Sequence, residues 1–244
     1  MTETFSNVYD DAARARAYAD LEFPGTYSLA FRDLPVLLRH YVRGTRALDF
    51  GCGAGRSTRF LRHLGFEVIG VDVSAVMLDQ ARSRDPRGDY RLVADGSLAG
   101  FGSGTLDLIL AAFTFDNIPI EQRKTSALGE LRRLLAPHGH LVVVVSSPAI
   151  YRHEWASFST RDYPANRTAR DGDSVRIVML DVPDRRPVVD IMCSDARYRE
   201  LFEAAGLGVV DTVRPLATGA ESVEWVNETT IPPWTIYVLG CAEC

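Results

Sequence analysis

Short apolar runs alternate along this chain with longer stretches in which apolar side chains recur at helical spacing. The run 45–50 is short and β-prone and reads as a buried parallel strand, while 56–64 carries its apolar residues at a helical period. The alternation continues with a strand closing at Asp72, a third closing at Asp95 and a fourth at 106–113. A helix over 121–135, stopped by Pro137 and Gly139, then leads into a fifth strand at 140–146. Ahead of these, 10–21 reads as a helix, 22–27 as a turn, and the stretch to Tyr41 as another helix. Strands and helices in alternation predict an α/β fold, a doubly wound sheet with helices on both faces.

Between the first strand and its helix lies Asp49-Phe50-Gly51-Cys52-Gly53-Ala54-Gly55-Arg56. Glycine suits such a turn because a ligand can lie against bare backbone and because positive φ carries no Cβ penalty. Asp72, at the end of the next strand, stands where a carboxylate accepts both hydrogen bonds of a ribose diol, and Val73 follows it into the site. These features also describe dinucleotide enzymes, but the spacing differs: Gly51, Gly53 and Gly55 give G-x-G-x-G, whereas the dinucleotide fingerprint is G-x-G-x-x-G. Asp49 discriminates further, since a carboxylate there suits a ligand carrying an ammonium group and repels a pyrophosphate.

The pattern resembles the class I S-adenosylmethionine (SAM) dependent methyltransferases, closely over 45–146 and more loosely over 198–205, 208–214 and 235–241. The resemblance implies a Rossmann-like, mostly parallel seven-stranded sheet with an antiparallel last strand, an N-terminal helical cap and an insertion after strand five. It implies SAM as cofactor and S-adenosylhomocysteine as product, with Asp49, Gly51, Gly53, Gly55, Asp72, Val73, Asp95, Gly96 and Ala112 around it. In that family the acid at Asp95 faces the adenine amino group, the Gly96 amide meets the ring, and the end of the strand 106–113, which carries Ala112, opens onto the transferable methyl. No metal is needed for this chemistry. The chain is expected to form a single domain over 1–244: a cap (1–44), a SAM-binding core (45–146), a substrate-cover insertion (147–190) and closing elements (191–244).

Composition narrows the partners. A net charge of −5 disfavours a nucleic-acid acceptor, because nonspecific affinity for nucleic acid comes from neutralising phosphates. All but one of the 27 basic residues are arginine, Lys124 being the exception, a bias that carries no functional weight. No apolar run reaches the roughly 20 residues that cross a bilayer, and 1–11 is polar and acidic rather than a secretory signal, so a cytoplasmic protein is expected. Cys52, Cys193, Cys241 and Cys244 lack the paired spacing of a zinc site and read as free thiols.

The acceptor side is written less clearly. In a doubly wound sheet the crevice lies beyond the carboxyl ends of the strands, so 10–27, 147–190 and 215–233 are candidate walls. Their aromatic content suits a small planar, aromatic or heterocyclic acceptor. Tyr18, Tyr27, Trp155 and Trp225 are the candidate contacts, with Tyr151 and Trp234 as further aromatics in or beside these segments. After strand four, Phe115 is expected as an apolar wall and Asn117 as a hydrogen-bonding contact. Asp116 and His153 are the candidate general bases. Two other readings share the motif: a SAM-binding protein that catalyses a non-methylating reaction such as a cyclisation, and a non-enzymatic binding protein on the same fold.

Overall fold

The computed structural model describes residues 11–93, 97–119 and 121–242. Its centre is a seven-stranded sheet of order β3-β2-β1-β4-β5-β10-β9. The strands are β1 (Arg46–Phe50), β2 (Glu67–Asp72), β3 (Asp89–Leu92), β4 (Leu106–Ala112), β5 (Leu135–Ser146), β9 (Leu207–Val213) and β10 (Trp234–Cys241). The five strands β3, β2, β1, β4 and β5 run parallel, and β10 is antiparallel to both β5 and β9. The expected doubly wound sheet is therefore present, with the chain reversing direction on either side of β1, where such sheets form their ligand crevice.

Period-two alternation explains how the sheet is sandwiched. Leu108 and Leu110 of β4 with Val142 and Val144 of β5 face one side, while Ile109, Ala111, Leu141, Val143 and Val145 face the other. The second face is closed by α6 (Glu121–Leu134) and α7 (Asp195–Ala204), through Leu128, Leu131, Leu201 and Phe202. On the first face lie α2 (Gly25–Arg32) and α3 (Leu34–Tyr41), contributing Leu29, Phe31, Leu34 and Leu38. The remaining helices are α1 (Ala12–Ala19), α4 (Arg56–His63) and α5 (Ala75–Arg84); α1 packs on α5.

Three elements depart from the sequence reading. The stretch expected as a turn over 22–27 and one helix to Tyr41 forms two helices, with α2 starting at Gly25 and a break at Asp33 before α3. Strand five begins at Leu135, because Leu106 pairs with Leu135 before a register shift and the Pro137–Gly139 stretch is absorbed into the strand as an irregularity. Within the insertion, β6 (Phe158–Ser159), β7 (Ser174–Met179) and β8 (Val188–Ile191) form a separate antiparallel sheet whose inner residues Val175, Ile177, Met179 and Val188 join the first-face core.

The three segments outside the core pattern meet at one buried acid. Glu228, fully buried, accepts from the Thr26 hydroxyl at 2.6 Å, the Ala156 amide at 2.8 Å, and the amides of Val226 and Asn227 at 2.9 and 3.0 Å. Thr26 and Ser157 also exchange reciprocal bonds, each hydroxyl accepting from the other residue's backbone amide. The N-terminal helices, the insertion and the 215–233 loop are thus tied into one cover. No helix among the described residues is long and apolar enough to cross a membrane.

Candidate active site

The turn after β1 is held by its neighbour strand. The amides of Gly51 and Cys52 both donate to the Val71 carbonyl, at 2.8 and 3.0 Å. Gly51 has φ +74°, and a Cβ there would come within 2.4 Å of Thr114; alanine is therefore excluded by both conformation and space. Gly53 differs: its φ is +53°, and among the described residues a Cβ would meet only the Met77 methyl, at 3.1 Å. What Gly53 keeps clear is the cavity itself, which it lines.

Asp72 stands at the same place. Its Oδ2 accepts from the Gly53 amide and its Oδ1 from the Ser74 amide, each at 2.8 Å. A backbone donor on each oxygen fixes the carboxylate's plane at the edge of the cavity. A ribose diol fits that arrangement, beside bare backbone at Gly53.

The cavity has a volume of about 700 Å³ and is continuous from this turn to an aromatic enclosure. At the cofactor end it is lined by Gly51, Gly53, Asp72, Val73 and Ala112. Beyond Ala112, Phe113 takes a φ of 61°, which places its ring on the first face of the sheet, among Tyr27, Phe31 and Trp234. Strained non-glycine backbone of this kind persists only where surroundings over-determine it. Arg56, nearly buried at the start of α4, lies 4.9 Å from the Phe23 ring centre and 5.2 Å from that of Tyr27, a cation held by aromatic faces. Its Nη2 also donates to the Tyr18 hydroxyl at 3.4 Å.

A methyltransferase-domain family model matches residues 48–143. The trans-aconitate 2-methyltransferase of Azoarcus is 31% identical over 189 residues, covering 77% of this chain and 68% of that protein. The N-demethylindolmycin N-methyltransferase of Streptomyces griseus is 28% identical over 200 residues, covering 81% and 83%. Among solved structures, a putative S-adenosylmethionine dependent methyltransferase from Listeria monocytogenes superposes with a TM-score of 0.67 at 18% identity, covering 88% of this chain and 98% of that one. The CcbJ methyltransferase from Streptomyces caelestis gives 0.63 at 19%, covering 91% and 100%. This chain is a class I SAM-dependent methyltransferase. Its cofactor is SAM, and the glycine turn with its braced carboxylate suits that cofactor's adenosine.

Not every residue of the methyltransferase singled out from sequence reaches the cavity. Asp49 does not line it: the side chain is fully buried, with Oδ2 accepting at 2.6 Å from the hydroxyls of both Ser57 and Thr58 at the start of α4. Burial pushes its pKa up to about 6 against those two hydrogen bonds, and Oδ1 has no hydrogen-bond partner among the described residues. Its direct structural action is to pin α4 beneath the turn. Gly55, at φ +79°, starts α4 and packs against Tyr90, also away from the cavity. Asp95 and Gly96 lie outside the described residues, as does Cys244.

On the acceptor side the structure corrects four expectations. Phe115, 1% exposed, points into the opposite core beside Phe50, because the turn after β4 sends Phe113 and Phe115 to different faces; Phe113 is the apolar wall. Trp155 is buried with its indole donating to the Ile150 carbonyl at 2.9 Å, and is core. Trp225 donates to Glu221 at 3.2 Å within its own loop. His153 is exposed and lines a separate cleft with Arg152, Arg161 and Arg167, so it faces no substrate bound beside the cofactor. Tyr18, Tyr27, Tyr151, Asn117 and Trp234 do line the cavity.

Asp116 lines it too, but as a tie. Its Oδ2 accepts from the Ser146 amide at 2.9 Å and its Oδ1 from the Tyr198 hydroxyl at 3.1 Å, joining β5 to α7. Burial raises its pKa, opposed by the Ser146 amide and by Lys124. Among the described residues, no cluster of three His, Cys, Asp or Glu side chains is placed to hold a metal.

Proposed function

We propose that this enzyme methylates a small aromatic or heterocyclic compound bound in the Phe113 enclosure. The observation that carries the reading is one continuous cavity that has Asp72, Gly53 and Ala112 toward the cofactor end and Tyr27, Phe113 and Trp234 toward the other. In this reading Asp72 accepts from the ribose hydroxyls, Gly51 and Gly53 give the cofactor's chain a backbone floor, and Val73 covers the adenine side. Asp49 acts by fixing the turn. The cofactor supplies an activated methyl on a sulfonium, so the protein's task is to hold the acceptor near 3 to 3.5 Å from that methyl and to exclude water.

A cavity of about 700 Å³ with ring-bearing walls favours a compact planar acceptor over a macromolecule. Relatives named for N-demethylindolmycin and for trans-aconitate support a small-molecule acceptor. Between those two kinds, the rings of Tyr27, Phe113 and Trp234 favour an aromatic compound, since the charged side chains of the lining are of both signs, Asp116 and Asp190 against Arg56 and Arg123.

Affinity selection tests this. The protein saturated with S-adenosylhomocysteine is incubated with a small-molecule extract, and retained compounds are identified by mass spectrometry. Aromatic compounds retained by wild type and lost in Trp234→Ala support the reading. Retention only of aliphatic polyacids contradicts it.

A further inference from the structure

The acceptor half of the cavity ends on a carboxylate that the fold leaves half satisfied. Asp190 belongs to β8, which packs on the short turn Phe115–Asn117 just beyond β4, the strand whose end opens toward the cofactor. The residue lines the cavity yet is only 7% exposed. Its Oδ2 accepts from the Tyr151 hydroxyl at 3.0 Å, and its Oδ1 has no hydrogen-bond partner among the described residues. A buried oxygen without a donor carries a desolvation cost that a ligand's O–H or N–H would remove.

The charged groups around Asp190 do not meet that need. Asp116 acts on it from the turn after β4, Lys124 from α6 and Arg14 from α1. Asp116 is an acid and adds repulsion. The Arg14 Nη2 is taken by the carbonyls of Arg186 and Pro187, at 3.2 and 2.9 Å, its Nε has no hydrogen-bond partner among the described residues, and neither Arg14 nor Lys124 donates to Asp190 Oδ1.

We propose that Asp190 Oδ1 receives the hydrogen of the acceptor's own nucleophilic atom, so that methyl goes to a protonated oxygen or nitrogen rather than to carbon. The proposal rests on the aromatic-acceptor reading above and narrows its substrate class. In the step, a lone pair on the acceptor's O or N forms the bond to the methyl carbon, and the electron pair of the breaking C–S bond remains on sulfur. The proton of that O–H or N–H passes to Asp190 Oδ1, giving a neutral carboxyl that Tyr151 still holds through Oδ2; water recovers the proton after product leaves. Burial and the nearby Asp116 push the Asp190 pKa up to about 7, which suits a base working near neutrality.

Calorimetry on the protein saturated with S-adenosylhomocysteine tests the assignment with paired probes: indole against benzofuran, and phenol against toluene. Each pair keeps its ring shape while one member loses the donor, and the two pairs separate N–H from O–H recognition. At least one donor probe should bind about tenfold tighter than its counterpart, the effect of one buried hydrogen bond. In Asp190→Asn the amide oxygen keeps the Tyr151 bond and the NH2 replaces Oδ1, so two donors would face each other. The preference should then fall to within about twofold while S-adenosylhomocysteine affinity and Tm hold. Equal binding within both pairs in wild type, or an undiminished preference in Asp190→Asn, overturns the proposal. If no probe binds at millimolar concentration, the aromatic-acceptor reading fails and the assignment falls with it.

Discussion

Phe113 and Trp234 meet ring to ring, centroids 4.7 Å apart and planes inclined by 58°, linking the exit of β4 to the start of β10 across the end of β5. The contact exists because Phe113 holds φ at 61° while its amide donates to the Val144 carbonyl at 2.8 Å. The same turn buries Phe115 on the opposite face.

A pair of substitutions separates the two phenylalanines. Phe115→Ala should cost about 3 to 5 kcal/mol of stability, the loss typical of a fully buried ring. Phe113→Ala should cost less stability, because truncation opens onto existing cavity, and should raise the acceptor KM with SAM affinity unchanged. Chemical denaturation and steady-state kinetics read the two effects; the reverse ranking in stability would contradict the assignment of faces.

Asp72→Ala removes the acceptor for the Gly53 and Ser74 amides together with the proposed ribose contacts. SAM binding should weaken by about 2 to 4 kcal/mol, the scale of two charge-assisted hydrogen bonds, in a protein that remains folded. Calorimetry reads this directly, and unchanged affinity would remove Asp72 from the cofactor site.

Asp49 predicts a pH dependence of stability. Its folded pKa of about 6 stands above the ordinary value of 3.8, so across that window the folded protein keeps a proton that the unfolded chain has released. Stability therefore falls as pH rises through the window, by about 3 kcal/mol from this group, and is flat from it below and above. Asp49→Asn should remove that slope, and identical slopes in wild type and variant would count against the buried, unpaired Oδ1.

Glu228→Ala strips four donors of their shared acceptor at the junction of the three cover segments. The expected loss is upward of about 3 kcal/mol, since buried amides and a hydroxyl are left unpaired. Hydrogen exchange should quicken together around Thr26, Ala156 and Asn227; a change confined to the 215–233 loop would mean that the segments are not coupled.

The sheet was legible because its signals are local: apolar runs, a glycine turn and acids at strand ends each occupy a few consecutive residues. The helix expected to run to Leu135 stops one residue short, at a point where strand pairing with Leu106 overrides the pattern. The acceptor wall was only half legible. Tyr18 and Tyr27 were found by their aromatic character, but nothing local distinguishes Phe113 from Phe115, since the face each takes depends on one backbone dihedral. Asp190 carried no signal at all: it becomes notable only when β8 folds back onto the turn after β4 and brings Tyr151 to one of its oxygens. His153 looked chemically apt, and its position on the outer side of the insertion is a matter of tertiary packing.

The central claim is that methyl leaves SAM for a small molecule held against Phe113. Incubating the protein with methyl-labelled SAM and a panel of hydroxyl- and N–H-bearing aromatic compounds, then locating the label by mass spectrometry, tests it most directly. The account predicts label on an aromatic oxygen or nitrogen, with turnover falling at least about tenfold in Asp72→Ala at subsaturating SAM. Label on a carbon atom of the acceptor would keep the claim and overturn the role of Asp190, and label found only on protein or nucleic acid would contradict the claim itself.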